Sequence, residues 1–165
     1  MNNRPILPLT KTKLETVFDA ISLLAIVSMI VYIAFEWHDL PERIPMHFNG
    51  SGEINRWGNK MSVIFPPMIS LILYSGLTLL GRVPHVFNYP FPITADNALQ
   101  QYENGRLFMT SLKTVITILF AFITWSVIRI AKEGNGDINL WILGIILLTL
   151  FGTIIFFIVR SYKLK

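Results

Sequence analysis

The chain has 165 residues, of which 53% are hydrophobic and only 15% charged, with a formal net charge of +4. Soluble domains carry about 25% charged residues, and here the shortfall is concentrated: residues 20–35, 61–81, 114–128 and 138–159 hold no charged side chain at all. These features exclude an intrinsically disordered chain and argue against a water-soluble globule. The lack of cysteine removes disulfide scaffolds, thiolate metal sites, thiol nucleophiles and cysteine-linked lipid. The expected fold is all-α: a polytopic membrane protein with four transmembrane helices, forming a single membrane domain over residues 1–165.

A helix that crosses a hydrocarbon core of ~30 Å needs about 20 apolar residues. The first span is read at about 13–37. Thr12 and Glu15 have capping-box spacing, and Leu14, Val17, Phe18 and Ile21 follow on one helical face. This stretch is too long for a signal-peptide core and no Ala-x-Ala-like site follows it, so it is expected to be a retained signal anchor. Ser22, Ala25 and Ser28 are expected to form a packing seam, because small residues let helices approach closely.

Residues 36–60, EWHDLPERIPMHFNGSGEINRWGNK, form the most informative segment. Pro41 and Pro45 force Leu40 and Ile44 into extended conformations. Met46, His47 and Phe48 read as a short extended piece, and Asn49-Gly50-Ser51-Gly52 as a turn. Trp57-Gly58 reads as a second turn with an interfacial anchor. The expectation is a structured loop, pinned by Trp37 and Trp57. The second span, at about 62–81, carries Pro66-Pro67, so its regular helix should begin near Pro66, where proline suits a first turn.

Residues 82–112 form the next loop. Pro84, Pro90 and Pro92 keep its first part extended. Thr94 is the expected N-cap of an amphipathic helix carrying Ala95, Ala98, Leu99 and Tyr102 on one face. That helix either lies on the membrane surface or runs into the third span at about 107–130, and its face could dock a cytoplasmic regulator. Lys113 is expected to snorkel towards the headgroups. Residues 131–137, AKEGNGD, make a plain turn before the fourth span at about 138–160, where Gly144 and Gly152 suggest a second packing seam.

Four spans put both termini on one side. That side would carry nine basic residues against five on the other, which by the positive-inside rule makes it cytoplasmic. Trp37, Trp57, Trp125 and Trp141 then all fall at the outer interface, where Trp is favoured. The net charge divides into a basic inner face, with nine basic and four acidic residues, and an outer face with five basic and six acidic. The charge-free cores also lack His and Gln, and Asn occurs only as Asn139 at the mouth of the fourth. This argues against pumps, charged filters and intramembrane metalloproteases. Thr114, Thr117, Thr124, Ser126, Thr149 and Thr153 are expected to bond to the preceding helical turn or to pack between helices.

The run LPERIPMHFNGSGEINRWGNK resembles the signature of the domain of unknown function 1648 family, itself similar to the N-terminal part of SdpI-type bacterial immunity proteins. The correspondence falls on Leu40, Pro41, Ile44, Pro45, His47, Phe48, Asn49, Gly52, Trp57, Gly58, Lys60 and Pro66. It departs at Asn55, where the family has Asp. The resemblance implies a protein of the bacterial cytoplasmic membrane that protects against a secreted peptide or takes part in membrane signalling. The residues from Leu40 to Lys60 would be its candidate binding motif.

Metal ligation at the outer face would draw on His47 with His38 and a carboxylate from Asp39, Glu42 or Glu53, but no compact ligand spacing is present. The plainer reading is a structural hydrogen bond from His47 inside the loop. Phosphate loops, catalytic triads, haem-attachment motifs and nucleic-acid signatures are absent from the sequence. The expectation is therefore a non-enzymatic protein with no catalytic residue, metal or cofactor assigned. Its partners would be the lipid bilayer, an extracytoplasmic peptide or envelope protein, and a cytoplasmic regulator, with no nucleic acid. The alternatives are a non-catalytic accessory subunit of a transporter or envelope enzyme, and an outer-face metal-dependent enzyme.

Overall fold

The computed structural model describes residues 4–165. Helix α1 spans Lys13–Glu36, strands β1 and β2 span Arg43–Phe48 and Ile54–Asn59, and a 3-10 turn at Lys60–Ile64 leads into α2, Phe65–Leu80. A short 3-10 turn, Pro84–Val86, precedes α3 at Ala98–Glu133, and α4 follows at Leu140–Lys163. Four helical segments are long and apolar enough to cross a membrane. The fold is thus mostly helical, but the all-α expectation needs one correction: the loop after α1 is an antiparallel β-hairpin.

Local chemistry explains the helix boundaries. The Thr12 side chain accepts from the Glu15 amide while the Glu15 carboxylate accepts from the Thr12 amide, so the expected capping box opens α1. Pro66 and Pro67 occupy the first turn of α2, where a missing N–H costs nothing. Asn97, rather than Thr94, is the N-cap of α3. The Thr94 amide instead donates to Asn97 Oδ1 at 2.9 Å, one turn ahead of the helix. Gly134, with φ of +74°, closes α3 in the left-handed conformation that glycine adopts freely.

Helix α3 is the axis of the bundle: α1, α2 and α4 all pack on it. At 36 residues and a rise of ~1.5 Å each it is about 54 Å long, well beyond a hydrocarbon core of ~30 Å. The amphipathic segment is therefore not a separate surface helix. It continues through Gly105, whose missing side chain leaves room for Phe87 and Tyr89 to approach. Of the face expected on this segment, Ala98 and Tyr102 are fully buried within the chain, while Ala95 and Leu99 stay exposed.

The seams between helices are polar. Lipid tails are as apolar as leucine, so helices in a bilayer associate through packing and interhelical hydrogen bonds. Ser22 Oγ and Thr114 Oγ1 meet at 2.9 Å between α1 and α3. Gln101 Nε2 donates to the carbonyls of Ser161 and Leu164 at 2.8 and 2.9 Å, while Ser161 Oγ donates to Gln101 Oε1 at 2.7 Å. Gln101 thereby gives the Ser161 carbonyl a second donor beside the Leu164 amide and satisfies the Leu164 carbonyl just past α4.

As expected, Thr114, Thr117, Thr124, Thr149 and Thr153 each donate to the carbonyl four residues earlier. The seam of α1, however, is Glu15, Asp19, Ser22, Ile26, Met29 and Ile33. Ser28 is exposed and bonds only to Ala25 within its own helix. Gly144 and Gly152 also lie outside the seams among the described residues of the chain, since a Cβ at either would meet open space there.

Candidate functional site

The hairpin grows out of the end of α1 and is anchored from within. Leu40 and Ile44, exposed by 4% and 1%, join Ile33 of α1, Val63 of the 3-10 turn, and Val127, Ile128 and Ala131 of α3 in the main apolar cluster. Pro45 is buried beside them, opposite Trp57 across the ladder. Both strands of a two-stranded ribbon are edges, so the missing N–H of Pro45 is tolerated.

The turn is organised by one side chain. Asn49 Oδ1 accepts from the amides of Ser51 and Glu53 at 2.9 and 3.0 Å, and Asn49 Nδ2 donates to Glu53 Oε2 at 2.8 Å. Gly52 has φ of +86°, and a Cβ there would lie 3.0 Å from the Ile138 carbonyl oxygen. The Ile138 amide donates to the Gly52 carbonyl at 3.0 Å. Positive φ and close approach together account for glycine at this position.

The remaining signature residues close the base. Gly58 sits under Met46, whose Cγ would lie 2.4 Å from an added Cβ. Trp57-Gly58 is thus part of strand β2 and not the second turn the sequence suggested. Lys60 Nζ lies 2.8 Å from Glu42 and over the ring of Trp37, 5.4 Å from its centroid. His47 Nδ1 meets Asn55 Oδ1 at 2.7 Å. That is the structural hydrogen bond within the loop, and it involves the position where the family signature has Asp.

The candidate motif therefore divides in two. Leu40, Ile44 and Pro45 are buried, while Asn49, Gly52, Gly58 and Lys60 build the turn and base. Pro41 and Phe48 add stiffness and partial burial at the two ends of β1. Exposed on the hairpin are Met46, His47, Arg56 and Trp57, together with Arg43, Glu53, Asn55 and Asn59; Met46 and Trp57 are exposed by 40% and 37%. Among the described residues no three His, Asp or Glu side chains converge as a metal site. Glu42 and Glu53 are already engaged with Lys60 and Asn49.

The opposite end of the bundle holds charge pairs that the sequence reading did not draw. Arg106 of α3 forms a two-pronged pair with Glu15, Nε to Oε1 at 2.6 Å and Nη2 to Oε2 at 3.0 Å. Lys113 is buried and does not snorkel: it pairs with Asp19 at 2.5 Å, donates to Thr78 Oγ1 at 2.7 Å and lies over the Tyr74 ring. Asp19 also contacts Lys11. A carboxylate and a lysine within reach satisfy each other better than either does alone in a low-dielectric seam. The signal was present in the spacing, since Glu15 and Asp19 are one turn apart on α1, and Arg106 and Lys113 are two turns apart on α3.

Four membrane-length helices around a polar-seamed axis, capped by a hairpin, define a multi-pass membrane protein. Residues 24–71 match the family model described as Domain of unknown function (DUF1648), which supports the resemblance drawn from the loop signature. The match takes in the second half of α1, the hairpin and the start of α2. The chain is also similar to an uncharacterized protein of Archaeoglobus fulgidus, 30% identical over 78 residues, covering 42% of this chain and 43% of that protein. The chain thus spans less than half the length of this relative. No solved structure matches the chain.

Proposed function

We propose that this is a non-enzymatic sensing or immunity protein of the bacterial cytoplasmic membrane, similar in role to SdpI-type proteins, with both termini inside and the hairpin outside. In this reading the hairpin contacts an extracytoplasmic peptide or envelope protein through Met46, His47, Arg56 and Trp57. One observation carries it: the hairpin is held by Leu40 and Ile44 in the core and by Gly52 on Ile138, while Met46, His47, Arg56 and Trp57 are left exposed on it. Trp and Arg are enriched among the strongest contacts of binding surfaces. The asymmetry of Lys and Arg supports the orientation.

The test is expression in a host challenged with secreted antimicrobial peptides. A survival difference that Trp57→Ala and Arg56→Ala remove supports the reading. No difference with any peptide or envelope stress contradicts it.

The second reading, an accessory subunit, is favoured by α4, which packs mainly on α3 and leaves Ile145, Leu148, Phe151 and Ile155 outward. A stoichiometric partner retained in mild detergent, and lost when these residues are changed to Ala, would favour it over the first.

A further inference from the structure

A cavity of about 300 Å³ opens at the end of the bundle away from the hairpin, between the segment before α1, the first turns of α1, the last turn of α2 and the first half of α3. Its charged wall is Lys11, Glu15, Asp19, Arg82, Arg106 and Lys113. Four cations face two carboxylates, so the wall carries a surplus of two positive charges. The pairing shows where that surplus lies. Glu15 is taken by Arg106, and Asp19 by the buried Lys113, with Lys11 reaching it from the surface. Arg82 is exposed and has no side-chain hydrogen bond or ion pair among the described residues. The surplus therefore comes from Arg82, which is unpaired among the described residues, and from Lys11 and Lys113 sharing the single Asp19 carboxylate, with Lys11 and Arg82 at the mouth.

The wall is also partly apolar. Leu7, Leu9 and Leu77 line it alongside the charges. Its depth along the bundle is set by the first turns of α1 and the last turn of α2, which is where a spanning helix meets the headgroups. A cleft at that level with surplus cations, one of them a free guanidinium, fits a phosphate group, which arginine engages through its planar fork. Its apolar side accommodates the first carbons attached to that phosphate.

We propose that this cleft binds an anionic phosphate group, supplied either by an anionic phospholipid headgroup or by free phosphate, with Lys11 and Arg82 as the entry contacts. The site is independent of the hairpin and of the immunity reading. The two ion pairs behind it act as positioning groups, holding Arg106 and Lys113 with their charge towards the cleft.

The experiment uses the full chain purified in detergent. Native mass spectrometry compares retention of phosphatidylglycerol with phosphatidylcholine, and thermal unfolding compares inorganic phosphate with chloride at equal ionic strength. Preferential retention of phosphatidylglycerol without a phosphate effect identifies the lipid headgroup. Phosphate stabilisation with equal lipid retention identifies free phosphate. In either case Arg82→Gln should weaken the response about fivefold, the effect of one basic residue near an anionic surface, and Lys11→Gln should weaken it similarly. Both residues are exposed, so the fold should survive either change. Lys163→Gln, a basic change outside the cleft, should leave the response unaltered. The proposal is overturned if neither ligand is preferred, or if Lys163→Gln weakens the response as much as Arg82→Gln.

Discussion

The Ile138 amide donates a 3.0 Å hydrogen bond to the Gly52 carbonyl, tying the tip of the β1–β2 turn to the connection between α3 and α4. Residues 86 positions apart in the chain are joined there by backbone alone, and the geometry tolerates no side chain on Gly52.

Gly52→Ala should therefore destabilise the protein by about 1–3 kcal/mol, the cost of a left-handed conformation in a non-glycine residue, added to a steric push against Ile138. Gly50→Ala, with nothing within 4 Å of its added Cβ, should be nearly neutral. Thermal unfolding of the two variants in detergent checks the contrast.

The division of the signature into anchor and face makes a second prediction. Leu40→Ala or Ile44→Ala should cost about 2–5 kcal/mol, as for large-to-small changes in a packed core. Trp57→Ala and Arg56→Ala should stay within about 0.5 kcal/mol of the wild type, as surface changes do. If the hairpin acts through its exposed face, the second pair loses protection in the peptide-challenge assay at unchanged stability.

The Glu15–Arg106 pair at the far end of the bundle has its carboxylate almost fully buried. Arg106→Met leaves the Glu15 carboxylate with only Thr12 for company and should cost about 3–5 kcal/mol. Glu15→Gln combined with Arg106→Met should cost less than Arg106→Met alone, because the uncompensated charge is gone. A double-mutant cycle on thermal stability reads this directly.

Tyr89 supplies a pH dependence. Burial pushes its phenol well above the usual tyrosine range, with Tyr102 nearby adding to the shift, and its hydroxyl donates to the Pro84 carbonyl at 3.1 Å. The folded state then holds this proton at a pH where the unfolded chain releases it. Stability contributed by the protonated phenol is complete below the unfolded value of about 10 and falls as pH rises beyond it. Tyr89→Phe should flatten that alkaline loss, as measured by unfolding at a series of pH values.

Much of the fold was legible in the sequence, for identifiable reasons. Charge-free stretches placed the spans, the Thr12–Glu15 box opened α1, and Pro66-Pro67 opened α2. The extended piece at Met46–Phe48 and the turn at Asn49–Gly52 were also visible, because proline and glycine act on the backbone locally. The second strand was missed: Trp57-Gly58 looks like a turn until Met46, eleven residues back, is seen to need the space over Gly58. The charged cleft was missed for a similar reason. Reading Lys113 by itself, with a long apolar stem next to a span, favours snorkelling, and only the pairing of α1 with α3 brings Asp19 to it. Gly144 and Gly152 take part in no seam within the chain, because small residues permit close approach without requiring it.

The central claim, that the signature hairpin is an outward-facing cap, is tested most directly by placing one cysteine at Ser51, exposed at the hairpin tip, in a chain that otherwise has none. The account predicts that a membrane-impermeant thiol reagent labels this residue in intact cells, while a cysteine at Lys163 reacts only after the membrane is breached. Labelling of Lys163→Cys in intact cells, with Ser51→Cys protected until lysis, would contradict it.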